Sequence, residues 1–226
     1  MADVVAIVDD LGVDRFVVTG RSGGGPHALA VAARLPDRVI RAECASGGAP
    51  RDAEGLDWYA GMDAANVEEY GWAEEGEEVL QRQLERWRAA DLAHFHEDPA
   101  KLPPDEVQWA EADRQVLAIP AIQRMLVEML REAYRSGVWG WVDDDLAFLR
   151  PWGFDLAEIR VPVKIRYGQA DVLVPAAHGA WLAKHVPEAA VIVSETGHLA
   201  DPDARLAALR ELLAPDSPPT KTAPGQ

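Results

Sequence analysis

The spacing of hydrophobic positions changes repeatedly along the chain. Residues 3–12 place Val4, Val5, Val8 and Leu11 on one helical face, and Gly12 closes the turn. Residues 15–19 then read as a short apolar strand, and a helix follows from about Gly25 to Arg34, with Ala28, Leu29 and Val31 facing inward and Pro26 in its first turn. Leu35-Pro36-Asp37-Arg38 turns the chain into a second strand at 39–45, and Ser46-Gly47-Gly48-Ala49-Pro50 ends it. From Arg51 to Arg150 the period is helical throughout, with helices predicted at 65–73, 75–93, 104–117, 119–136 and 141–149 and no strand.

Strand character returns at 161–167, where Val163, Ile165 and Tyr167 share one face. Lys164 and Arg166 take the other face, which suits a sheet surface without apolar cover better than one buried on both sides. A helix at 175–185, a strand at 190–194 and a last helix at 202–214 follow; the last begins with Asp201 as cap and Pro202, and is expected to bury Leu206, Leu209 and Leu213. The aperiodic Pro, Ser, Thr and Lys residues of 215–226 predict a disordered tail. The alternation of strands and helices is that of a parallel α/β sheet. Residues 1–50 and 151–214 would form its core, and 51–150 an inserted, all-helical cap or lid, with Trp58, Trp87, Trp139 and Trp141 among its substrate-facing residues.

Composition narrows the function. The 226 residues are 48% hydrophobic and 27% charged, as in ordinary globular chains. A net charge of −16 would repel nucleic acid and anionic membranes, so neither partner is expected. The single cysteine, Cys44, excludes an internal disulfide and a Cys-x-x-Cys metal site, and its apolar strand makes it a buried thiol. No apolar run reaches membrane-spanning length, and Met1 to Asp10 lack a basic leader, so a cytoplasmic location is expected. Glu68, Glu69, Glu74, Glu75, Glu77 and Glu78 read as a solvated helix face. His94 and His96, at a helix end, read as a solvated terminus rather than a metal site.

The chemistry concentrates at Gly20-Arg21-Ser22-Gly23-Gly24, between strand and helix. Gly-x-Ser-x-Gly in this setting forms a nucleophile elbow: the serine sits on a strained turn, and Gly20 and Gly24 let strand and helix pass closely. Gly23, after the serine, is placed to offer its N–H to a developing oxyanion. Two other readings compete. A glycine-rich turn can be devoid of chemistry. It can also bind a dinucleotide, with Glu43, about 20 residues on, as ribose ligand; Arg21-Ser22 in place of a glycine argues against that. Asp171 follows the strand at 161–167 and His198 the strand at 190–194, so both fall on the rim where Ser22 lies. A serine hydroxyl needs a base, and histidine, oriented by a carboxylate, is the usual one.

Through Gly20-Arg21-Ser22-Gly23-Gly24, Gly168-Gln169-Ala170-Asp171 and Glu195-Thr196-Gly197-His198, in that order, the chain resembles the α/β-hydrolase family, in particular its capped, esterase-like and haloperoxidase-like members. The resemblance implies Ser22 as nucleophile, Asp171 as orienting acid and His198 as base, without metal or cofactor, acting on a small acyl substrate by an ester-cleaving route. Members of the family carry several strands and a loop, often beginning His-Gly, before the elbow. With the serine at position 22, an N-terminally incomplete sheet is expected, whose open edge at 15–19 offers a route to homo-oligomers. A non-catalytic or truncated protein that keeps the fold is the alternative.

Overall fold

The computed structural model describes residues 1–103, 107–199 and 201–214. The expected tail at 215–226 and the expected helix start at 104–106 lie outside those residues. Four parallel strands, β1 (Phe16–Arg21), β2 (Val39–Ala45), β3 (Val163–Gly168) and β4 (Ala190–Ser194), pair in sequence order. Helix α1 (Ala2–Asp10) precedes them, α2 (Gly24–Arg34) joins β1 to β2, α8 (Ala176–His185) joins β3 to β4, and α9 (Pro202–Leu213) follows β4. Between β2 and β3 lie α3 (Ala64–Glu75), α4 (Glu77–Glu97), α5 (Glu111–Leu117), α6 (Pro120–Ala133) and α7 (Trp139–Leu149), with no strand among the described residues.

The register explains how the two sheet faces differ. Val18 pairs with Ala42 and Gly20 with Cys44, which in turn neighbour Val163 and Ile165. This face packs Leu29 and Ala32 of α2 and Leu182 of α8 into one core. Cys44 is fully buried there, and desolvation pushes its thiol up to about 12, so it is an inert core group. The opposite face carries Thr19, Glu43, Lys164 and Arg166. It is not bare: Arg166 Nε lies 2.5 Å from Glu43, its Nη2 lies 2.6 Å from Glu211 of α9, and Lys164 Nζ lies 2.5 Å from the same Glu211. Helix α9 thus covers this face with a carboxylate, and the buried Glu43 is neutralised from the neighbouring strand. Arg166→Leu should therefore cost about 3 kcal/mol in denaturant unfolding, because Glu43 keeps its charge without its partner. Adding Glu43→Leu should restore most of that loss; a double variant no more stable than the single one would contradict it.

Three local expectations need correction. Leu206 and Leu213 of α9 are exposed and Leu212 is the buried leucine, because the helix meets the sheet near its C-terminal end, through Glu211 and Leu212. Helix α1 buries no residue fully and leaves Leu11 exposed; Val4 alone of its predicted face packs against the core. Of the helix expected at 104–117 the described residues form only Glu111 onward; before it, Gln108 N–H donates to Asp63 Oδ2 (3.0 Å) and Trp109 N–H to Val107 O (2.9 Å), a tight turn instead of a helix. Elsewhere glycines set the boundaries: Gly76 (φ 124°) separates α3 from α4, and Gly137 (φ 87°) ends the 3-10 turn after α6.

Candidate active site

Strand β1 ends at Arg21, and the next residue, Ser22, has φ 51°, left-handed backbone that a side chain rarely adopts. The turn is held by Ser22 N–H donating to Ala45 O and Gly25 N–H donating to Ser22 O, both at 2.9 Å. A Cβ on Gly20 would stand 1.8 Å from Gly24 O, so only glycine fits at that position. Gly24 departs from the expected role: a Cβ there would meet nothing within 4 Å. The second close approach belongs to Gly25, whose Cβ would fall 2.6 Å from Cys44 Sγ and 2.9 Å from Gly47 Cα. Gly23 precedes α2, and its N–H has no protein partner among the described residues. The strain at Ser22 has a measurable corollary. Ser22→Gly should raise stability by about 1 kcal/mol, and a lower melting temperature would show that the turn is unstrained.

Asp171 leaves the end of β3 and His198 the end of β4. His198 Nδ1 lies 2.9 Å from Asp171 Oδ2, with both side chains buried. Asp171 Oδ1 accepts from Leu173 N–H and Val174 N–H, each at 2.9 Å, so neither carboxylate oxygen can turn away. The bond to a carboxylate places the ring proton on Nδ1 and leaves Nε2 as the acceptor. Ser22 Oγ makes no hydrogen bond to His198 among the described residues, but the two segments are tied together: the guanidinium of Arg21 donates to His198 O. Burial lowers the Arg21 pKa from its ordinary value, and Asp171 and Asp113 oppose that shift.

Ser22 and Gly23 open into a cavity of about 210 Å³. Core residues Pro26, Leu173 and Val174 line it together with Met62, Tyr70 and Phe148 from the helical segment. Of the tryptophans expected to face substrate, Trp58 lines this cavity; Trp139 is exposed, and Trp87 and Trp141 pack against the helical segment's own core and line a larger cavity that shares Met62, Asn66 and Glu69 with the first. His178 was not singled out by any sequence motif. It is buried in the cavity wall, where Nδ1 accepts from Ala49 N–H (3.1 Å) and Nε2 donates to Trp58 O (2.8 Å). Desolvation lowers its pKa, so it serves as a neutral strut.

Glu69 does not belong to a solvated face. It reaches the cavity, accepts from Trp141 Nε1 (2.5 Å) and lies beside the buried Asp145. Desolvation raises the pKa of both carboxyls, and the charge of Glu69 raises Asp145 further. A folded-state pKa above the unfolded value means that stability is lost as pH rises beyond the ordinary carboxylate range. Asp145→Asn should therefore melt higher than the parent at pH 8 and flatten the decline of melting temperature with pH. An unchanged decline would contradict the raised pKa of Asp145.

Glu43, the would-be ribose ligand, is committed to Arg166, which removes the dinucleotide reading's acid. His94 and His96 fall in the last turn of α4; His96 is exposed as expected, but His94 Nε2 is buried with no hydrogen-bond partner among the described residues, which corrects the solvated reading for that residue. No group of three metal-ligating side chains occurs among the described residues. No helix among the described residues is long and apolar enough to cross a membrane.

A parallel sheet with an elbow at one strand end, an acid and a histidine at two others, and helices inserted between β2 and β3 has the α/β-hydrolase fold. Solved structures of that fold superpose on nearly the whole chain. A hydrolase from Pseudomonas aeruginosa PA01 is 22% identical with a TM-score of 0.59, covering 95% of this chain and 70% of its own. The enol-lactonase from Burkholderia xenovorans LB400 is 19% identical with a TM-score of 0.56, over 93% and 70%. An esterase from Rhodococcus sp. ECU1013 is 18% identical with a TM-score of 0.54, over 92% and 69%. No protein-family model and no curated protein sequence matches the chain.

Proposed function

We propose that the protein is a serine hydrolase that cleaves a small carboxylic ester or lactone through an acyl-enzyme. The supporting observation is the strained Ser22 at the mouth of a largely apolar cavity, tied through Arg21 to a buried His198–Asp171 pair. Ser22 Oγ attacks the carbonyl carbon as His198 Nε2 takes its proton, and Asp171 stabilises the imidazolium that results. The carbonyl oxygen becomes an oxyanion beside Gly23 N–H. Collapse breaks the acyl–oxygen bond, and the imidazolium returns the proton to the leaving alkoxide. Water then repeats the sequence on the acyl-serine, releasing the acid and restoring Ser22.

The cavity of about 210 Å³ beside Ser22 shares Met62, Asn66 and Glu69 with a larger one of about 1170 Å³, so a compact acyl group fits at the serine and a longer one has room beyond it. The helical residues 51–150 act in this reading as the lid that supplies much of the substrate surface. An esterase and an enol-lactonase among the structures of the same fold act on bonds of this kind. The absence of a Ser22–His198 hydrogen bond supports the second reading, a hydrolase fold without catalysis, although such bonds often tighten only when substrate is present. A fluorophosphonate probe separates the two: covalent labelling at Ser22, lost in Ser22→Ala, is expected, and no labelling of the parent would leave the non-catalytic reading.

A further inference from the structure

The loop that carries His198 is gripped from outside the sheet. Asp113, on α5 of the helical segment, is completely buried at 0% exposure. One carboxylate oxygen accepts from His198 N–H (2.9 Å) and the other from Leu199 N–H (2.6 Å). The approach is so close that a Cβ on Gly197 would lie 1.9 Å from Asp113 Oδ2. From the opposite side, Arg21 donates to His198 O. The peptide groups flanking the histidine are therefore held at both ends, the N–H by the helical segment and the C=O by the residue before Ser22. The buried charge of Asp113 acts on the same Arg21 guanidinium, which completes an acid–loop–base arrangement across the rim.

We infer that Asp113 is a positioning residue for the proposed reaction, through which the helical segment sets the place of the His198 imidazole relative to Ser22. This rests on the hydrolase reading above. The side chain of His198 is fixed at Nδ1 by Asp171, which controls ring rotation, but that bond alone does not fix where the backbone of a loop stands. Asp113 and Arg21 supply that second constraint. A displacement of α5 would free two backbone N–H groups at the catalytic base, so docking of the helical segment and assembly of the reacting groups are one event.

The test compares Asp113→Ala and Asp113→Asn with the parent. Three quantities are read: kcat and KM on short p-nitrophenyl esters, melting temperature, and the ring-nitrogen NMR shifts of His198. The alanine variant should lose about 100-fold in kcat, the usual cost of a misplacement on the order of 1 Å, with KM little changed. The His198 ring shifts should move away from the parent's. The asparagine variant, which keeps one acceptor, should lie between the two. A KM increase with kcat unchanged would overturn the inference, as would unaltered ring shifts with kcat intact. So would failure of both variants to fold, since Asp113 would then serve the fold and not the base. The ring shifts need no turnover: if the parent itself fails to react at Ser22, the hydrolase reading falls, and the shifts still decide the role of Asp113.

Discussion

Ser22→Ala should lower ester hydrolysis roughly 10⁶-fold, the loss typical of removing the nucleophile from a serine triad. The melting temperature should stay close to the parent's, because alanine keeps both the Cβ and the left-handed backbone at φ 51°. His198→Ala combined with Ser22→Ala should cost little more than Ser22→Ala alone, since the residues act as a unit. Turnover that survives Ser22→Ala would mean that the elbow geometry serves some other purpose. Comparison with Ser22→Gly, which should be equally inactive but more stable, separates loss of the hydroxyl from loss of strain.

Gly20→Ala should be the most damaging single substitution for the fold. Its Cβ would sit 1.8 Å from a backbone oxygen of α2 and 2.9 Å from Ala28 Cβ, and neither can yield without moving the helix off the sheet. A cost of about 4 kcal/mol or more is expected, a large share of the stability of an ordinary domain. Gly24→Ala is the control. It alters the other glycine of the same motif, yet its Cβ would meet nothing within 4 Å, so a change within about 1 kcal/mol is expected. Chemical denaturation of the two variants checks both, and equal losses would refute the steric account.

Much of the architecture was legible because its causes are local. Strand and helix periods follow from one-sided burial, and Gly20 and Ser22 mark a turn with few solutions. The order Ser22, Asp171, His198 at three strand ends followed from parallel topology, which carries every strand's C-terminal end to one rim. What sequence could not reveal depends on partners distant along the chain. Lys164 and Arg166 suited a bare face because Glu211, supplied by α9, could not be paired with them by pattern. Glu69 sat in a run of acids and shared their solvated reading until Trp141 and Asp145 closed over it. Asp113 carried no distinguishing mark inside the helix expected at 104–117, and its contacts to residues 198 and 199 have no signature in its own segment. His178 likewise belongs to no motif in its helix and gains its role from Ala49 and Trp58.

The reach of Asp113 across the rim bears on how a protein of this fold could be re-engineered. If residues 51–150 act as the proposed lid, exchanging them is an obvious way to change substrate preference. A chimaera joined at residues 51 and 150 would nevertheless discard the carboxylate that seats the His198 loop. Successful transplants would have to carry an acid at the equivalent spot or bring their own substitute. On the proposed reading, selectivity and turnover would be inherited together.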